Sequence, residues 1–187
     1  TVCMKIRSLA LLAALAVACA TPSPAAESAK TVKIGVAGAH SGDLASYGLP
    51  TLKAAQLIVK DINERGGLNG RPVELLIEDD VCKPEIATNT ATKLVSAGAH
   101  AVIGHICSGP TRAALPIYRA AGIPVVSPSA TTPSLTQGGE YPNFFRTIAA
   151  DDAQARTQVD FALTSLKAKK IAVLDRTKEP GSTGEPL

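Results

Sequence analysis

The chain has 187 residues, of which 45% are hydrophobic but only 3% aromatic, with no tryptophan and a formal net charge of +3. That length suits one ordinary domain or one and a half small ones, and Ala, Val, Ile and Leu must build the core, as in strands sandwiched between helices. Setting aside Lys5 and Arg7, which belong to a leader-like segment, 17 basic residues face 16 acidic ones. With no basic stripe and no interleaved aromatics, this argues against a nucleic-acid partner.

Residues 1–26 read as an export signal. Lys5 and Arg7 form a positive start, residues 9–18 an apolar stretch too short to span a bilayer, and small residues follow. Met4 is the expected start, with Thr1, Val2 and Cys3 upstream of it. A buried core helix is the alternative, opposed by the basic flank and the Pro/Ser/Ala sequel. Small-residue sites at Ala18-Cys19-Ala20 and Pro24-Ala25-Ala26 favour soluble release; Ala16-Val17-Ala18-Cys19 offers the other route, a weak lipobox with a lipid on Cys19. Either way the expected place of work is outside the cytoplasm, in the periplasm.

After the signal, strands and helices alternate. Residues 32–37 form a strand with Val32, Ile34 and Val36 on one face, ending in Gly38-Ala39-His40-Ser41-Gly42-Asp43. Residues 49–65 form a helix with Ala54, Ile58 and Ile62 at four-residue steps and Leu57 beside them. Gly66-Gly67 stops it, and residues 73–78 are the second strand. A helix over 84–97 starts with Pro84 in its first turn and turns Ile86, Thr90 and Leu94 inward. The third strand is 101–104, the third helix 110–121, the fourth strand 123–126. Residues 144–148 form a fifth strand, 152–166 a helix and 170–174 a sixth strand. This alternation predicts an α/β fold with a doubly wound parallel sheet and right-handed crossovers. Residues 175–187 change to Pro, Gly, Ser, Thr and charge, and read as the start of something unfinished.

Two Gly/Ser-rich crests stand out, Gly104-His105-Ile106-Cys107-Ser108-Gly109-Pro110 and Ser127-Pro128-Ser129-Ala130-Thr131-Thr132-Pro133. If their preceding strands are parallel neighbours, both lie at the carboxyl edge of the sheet, where open α/β sheets bind ligands. Ser108 stands before a helix start, able to cap it or to present its hydroxyl outward. The first amides of that helix and its dipole favour a carboxylate, with Ser129 and Thr131 as further donors or acceptors. Ordinary caps and turns explain the same residues without a ligand.

Other chemistries fit less well. Gly35, Gly38 and Gly42 with Glu78-Asp79-Asp80 echo a dinucleotide site, but the glycine spacing is G-x-x-G-x-x-x-G, and the acidic cluster, read as a solvated strand end, comes too late. Ser108 lacks the first glycine of a G-x-S-x-G elbow, and no group is placed by sequence to orient His40 or His105 as a base. This is not the equipment of an enzyme. Cys82 and Cys107, the cysteines beyond the signal region, suggest a disulfide in an oxidising compartment, closing a loop of about 26 residues for roughly 3.5 kcal/mol. A zinc site on Cys82, His105 and Cys107 is the rival, lacking a fourth ligand.

Residues 31–155 resemble the amino-terminal lobe of the periplasmic branched-chain amino-acid (Leu/Ile/Val) binding proteins, the type I solute-binding proteins of ABC importers. The likeness runs through Gly38-Ala39-His40-Ser41-Gly42 with Tyr47-Gly48, then Asp61-Ile62-Asn63 with Gly66-Gly67. It continues through Asp79-Asp80-Val81-Cys82-Lys83-Pro84, Val102-Ile103-Gly104-His105-Ile106-Cys107-Ser108 and Ser127-Pro128-Ser129-Ala130-Thr131. The resemblance implies a two-lobed clamshell closing on an amino acid without chemistry or cofactor, and docking as a monomer onto an ABC permease in the membrane. It implies a Cys82–Cys107 disulfide, a carboxylate on Ser108, an ammonium group on Thr131 and the Ser129 carbonyl, and Tyr47 on the cleft wall. The family often has Ala where Ser129 stands. Residues 1–26 are then the signal, 27–149 the ligand-binding lobe, and 150–187 a crossover and the start of a second lobe. Asp175-Arg176-Thr177-Lys178-Glu179-Pro180-Gly181 lacks the Tyr-Gly pair expected there, and a truncated or frameshifted reading frame is the expectation. A ligand-binding lobe of a membrane sensor and an exported hydrolase are the other functional readings.

Overall fold

Five short runs of aliphatic residues form one sheet, because each is followed by a segment whose apolar side can cover it. The computed structural model describes residues 31–172. Along them lie β1 (Val32–Gly38), α1 (Ala45–Glu64), β2 (Val73–Asp79), α2 (Pro84–Ser96), β3 (Ala101–Ile103), α3 (Ser108–Ala120), β4 (Val125–Ser127) and β5 (Phe144–Arg146). A 3-10 turn at Pro133–Leu135 precedes β5; α4 (Asp151–Asp160) and a π-helical turn at Phe161–Ser165 follow it. All strands are parallel, in the order β2-β1-β3-β4-β5. This is the expected doubly wound sheet, and the order reverses between β1 and β3, so the crevice beyond their carboxyl ends is the natural ligand position.

Register sorts the strand residues onto two faces. Gly35 lies beside Leu76 and Val102, Val102 beside Val125, and Val125 beside Phe144. α2 and α3 cover this row, and Ala87, Ala91, Leu94, Ala114, Leu115 and Tyr118 fill the dry space beneath them. On the other face the row runs Ile77, Val36, Ile103, Val126, Phe145. There α1 packs against β2 and β1, and the Asn63 side chain pins its end to β2, bonding both the N–H and the carbonyl of Val73 at 2.8 Å. Val126 and Phe145, further along that row, are exposed.

The α/β alternation and the inward Thr90 and Leu94 of α2 match expectation. Several details differ. α1 begins at Ala45, not at 49, and carries Pro50 within it. The proline forgoes a bond to the Ser46 carbonyl, yet the first turn docks so closely on the end of β1 that a side chain on Gly48 would collide with the Ala39 carbonyl. Its buried side is Ala55, flanked by half-buried Leu52, Val59 and Ile62, whereas Ala54, Leu57 and Ile58 are exposed. The helix is apolar on adjoining sides, and docking selects one of them. The last expected helix holds α-geometry only to Asp160 and buries no residue. Lys170, Ile171 and Ala172 are not a strand, since a lone strand has no ladder to stabilise it; Val173 and Leu174 of that expected strand, the signal segment and the 175–187 tail lie outside the described residues.

Candidate functional site

The crest after β3 starts at Gly104, where only glycine fits. Its φ is +123° and a Cβ would run into the Ala37 carbonyl. The Gly104–His105 peptide that follows is cis. The His105 ring turns inward and is fully buried, its Nδ1 2.5 Å from the Asp80 carboxylate and its Nε2 3.1 Å from the Tyr118 hydroxyl. The other Asp80 oxygen accepts the Cys82 N–H at 2.7 Å. Cys82 and Cys107 are joined in a disulfide with Cα atoms 5.7 Å apart. Val81 and Cys82 sit at φ +43° and +60°, an unfavourable region for a β-branched residue, and the Asp79 and Asp80 side chains hold both amides there.

Two sequence readings are corrected at this point. The disulfide consumes both sulfurs that a zinc site would need. Asp80, read as solvated, is fully buried beneath the crest and orients His105. With both ring nitrogens engaged and the ring enclosed, His105 cannot act as a base toward Ser108. Burial, with Asp80 nearby, pushes the Tyr118 phenol's pKa well up, so it stays protonated.

Ser108 is the first residue of α3, and Cys107 stands at the cap without a side-chain bond; Ser108 is therefore not the N-cap. Its Oγ instead accepts the Thr132 N–H at 3.3 Å, tying the two crests into one rim. Pro110, third in the helix, has no N–H, and Thr111 donates to the Cys107 carbonyl, so the first amides of α3 are those of Ser108 and Gly109. Behind the second crest the Ser127 hydroxyl donates to the His105 carbonyl at 2.6 Å and accepts the amides of Ser129 and Ala130. Arg146 donates to the Ala130 and Thr132 carbonyls, and the Thr131 carbonyl accepts the Asp151 N–H. Among the described residues, no partner takes the amides of Ser108, Gly109 and Thr131 or the Ser129 carbonyl.

The loop after β1 is tied to the end of β2. Asp79 accepts the His40 and Val81 amides at 2.9 Å and the Ser41 hydroxyl at 2.6 Å. Burial raises the Asp79 pKa, but these hydrogen bonds outweigh it and hold the carboxyl below its ordinary 3.8. Burial pushes the His40 imidazole below 6.5 against the pull of Asp79 and Asp80, and both of its ring nitrogens are buried without a partner among the described residues.

Ser108 thus lies beside the crest that carries Ser129 and Thr131. Tyr47 lies in the first turn of α1 and is 66% exposed. Sequence reasoning missed Asp80, Tyr118, Ser127 and Arg146 as organisers of the rim. One signal was present for the first: Asp80 precedes Cys82 by two residues as His105 precedes Cys107, so a disulfide sets the two side by side. Free amides and hydroxyls at a helix start suit holding an anionic group.

Residues 31–186 match the family model described as periplasmic binding protein. A leucine-, isoleucine-, valine-, threonine- and alanine-binding protein of Pseudomonas aeruginosa is 40% identical over 172 residues, covering 91% of this chain and 45% of its own length. Among solved structures, the branched-chain amino acid transporter substrate-binding protein LivJ of Streptococcus pneumoniae, in complex with isoleucine, superposes with a TM-score of 0.69 at 38% identity, covering 75% of this chain and 40% of that one. A solute-binding protein of an ABC transporter from R. palustris, in complex with benzoate, does so at 0.65 and 32%, covering 72% and 37%. The chain therefore spans less than half the length of the relatives it matches.

Proposed function

The chain belongs to the periplasmic binding protein family, and from that premise we propose that it contributes one side of an interlobe cleft in the solute-binding component of an ABC importer, with a small carboxylate as ligand. Branched-chain amino acids are the leading candidates. Residues 27–149 form the ligand-binding lobe in this reading, and 150–187 lead into a second. The unpaired amides of Ser108, Gly109 and Thr131, with the Ser108 hydroxyl proton, receive the carboxylate. The Ser129 carbonyl and the Thr131 hydroxyl receive the ammonium group, and Tyr47 lines the approach. No bond is broken. The membrane permease is the partner, the exported chain acts as a monomer in the periplasm, and selection comes from polar groups left unpaired by a wrong ligand.

The observation that carries this reading is the bond from Thr132 N–H to Ser108 Oγ, which ties the two crests together, while the amides of Ser108, Gly109 and Thr131 have no partner among the described residues. Leucine-type ligands and benzoate, bound by two relatives, share only the carboxylate, which is the group this rim suits. Calorimetric titration of the chain with isoleucine, leucine, valine and benzoate tests it. Saturable heat is expected, and Ser108→Ala should weaken binding about tenfold or more, because a hydrogen bond to a charged group is worth roughly 1.5–3 kcal/mol. Affinity untouched by both Ser108→Ala and Thr131→Ala would discard the site, and ester turnover abolished by Ser108→Ala would replace it with a hydrolase.

A further inference from the structure

Arg146 closes β5 in register with Ser127 and on the same side of the sheet as Phe144, beneath the crest that follows β4. Its Nη1 donates to the Ala130 carbonyl at 3.2 Å and to the Thr132 carbonyl at 3.0 Å, and its Nη2 to the Thr136 hydroxyl. The two carbonyls bracket Thr131. The peptide between Ala130 and Thr131 is trans, and in a trans peptide the C=O and N–H point opposite ways. Anchoring the Ala130 carbonyl on the guanidinium therefore turns the Thr131 N–H away from Arg146.

Every other amide from Ser129 to Thr132 is already used. Those of Ser129 and Ala130 go to Ser127 Oγ, and that of Thr132 to Ser108 Oγ. The Thr131 amide is the one the second crest has left to offer. Among the described residues no carboxylate pairs with Arg146.

We propose that Arg146 is a positioning and specificity-determining residue of the rim: by holding the carbonyls on either side of Thr131 it presents that residue's N–H, and by placing a cation behind it selects a carboxylate over the corresponding neutral amide. The selectivity rests on the rim being a ligand site; the positioning does not. A lysine would keep the charge but, with a single ammonium point, reach one carbonyl rather than both.

The test uses the 187-residue chain labelled with carbon-13 and nitrogen-15. In Arg146→Met the carbonyl signals of Ala130 and Thr132 and the amide of Thr131 should move, while those of Leu94 and Val102 in the core stay, and Arg146→Lys should restore part of the change. Titration with leucine and leucinamide should show wild type preferring leucine, with the preference falling about tenfold in Arg146→Met, the size expected for a charged hydrogen-bonding group. A merely structural role would weaken both compounds by the same factor, and that result overturns the selectivity claim. Unmoved carbonyl signals overturn the positioning claim. If wild type binds neither compound, the ligand reading fails and the selectivity with it, while the carbonyl and amide signals still decide the positioning. Should Arg146→Met not fold, Arg146→Gln, which also removes the charge, supplies the same comparison.

Discussion

On one face of the sheet Val102, Val125 and Phe144 lie under α2 and α3 and are almost wholly buried; on the other, Val126 is 37% and Phe145 54% exposed in the same register row as Ile103. Parallel sheets are ordinarily covered on both faces. Here α1 packs on β1 and β2 yet leaves Ile77 44% exposed at the β2 edge, and no residue of α4 is buried. The rim draws its order from the closed face. His105, Tyr118, Ser127 and Arg146 all belong to the closed side, whose packing is complete among the described residues. The contacts that order the rim therefore lie on the side that α2 and α3 cover.

The sharpest way to break this comparison is a matched pair of truncations. Leu115→Ala on the closed face should cost about 2–5 kcal/mol, as a fully buried leucine does when cut back to alanine, whereas Val126→Ala on the open face should stay within roughly 0.5 kcal/mol. Urea unfolding midpoints compare them directly, and equal losses would mean that the two faces are alike.

Reducing the Cys82–Cys107 bond loosens the loops that carry Asp80 and His105. A loss of roughly 3.5 kcal/mol is expected from the closed loop, read as a lower melting temperature in dithiothreitol, with faster exchange of the Thr132 amide if the rim depends on that tether. An unchanged Thr132 amide would separate the rim from the disulfide.

Acid should act at the loop after β1 before it reaches the core. Burial holds the His40 pKa below 6.5, so as pH falls the unfolded chain takes up a proton that the folded chain refuses. Stability then declines below pH 6.5, through the lowered folded value, and His40→Gln should flatten that decline. Asp79, held below 3.8, adds a further loss as pH falls beneath 3.8 through its own folded value. A melting temperature level from pH 7 to 5 in the wild-type chain would remove His40 from this account. Smallest of all, Phe145→Ser should leave the unfolding midpoint nearly unchanged while reducing binding of a hydrophobic dye, because it removes apolar surface already in water.

Much of this architecture is legible in the residues. Alternating apolar runs mark the strands, Gly66-Gly67 and Pro84 mark where helices stop and start, and the Ser108 and Thr131 crests fall at the sheet edge simply because they follow neighbouring strands. The side of α1 that packs was not legible: Leu52, Ala55, Val59 and Ile62 compete with Ala54, Leu57 and Ile58 for an inward position, and periodicity ranks them alike. Nor was Arg146, which reads as one charged residue at a strand end until the crest is seen folded over it.

Local sequence determined what depends on neighbours along the chain: the strand and helix alternation, the glycine pair that stops α1, and a cysteine pair whose spacing allows a bridge. Tertiary structure decided what depends on residues far apart. It buried Asp80 against His105 and Tyr118, set Ser108 against Thr132, and brought Arg146 beneath Ala130 and Thr132. Hydrogen bonds are specified by distances of a few ångströms, and across such separations the register of the sheet, with the disulfide beside Asp80 and His105, sets those distances.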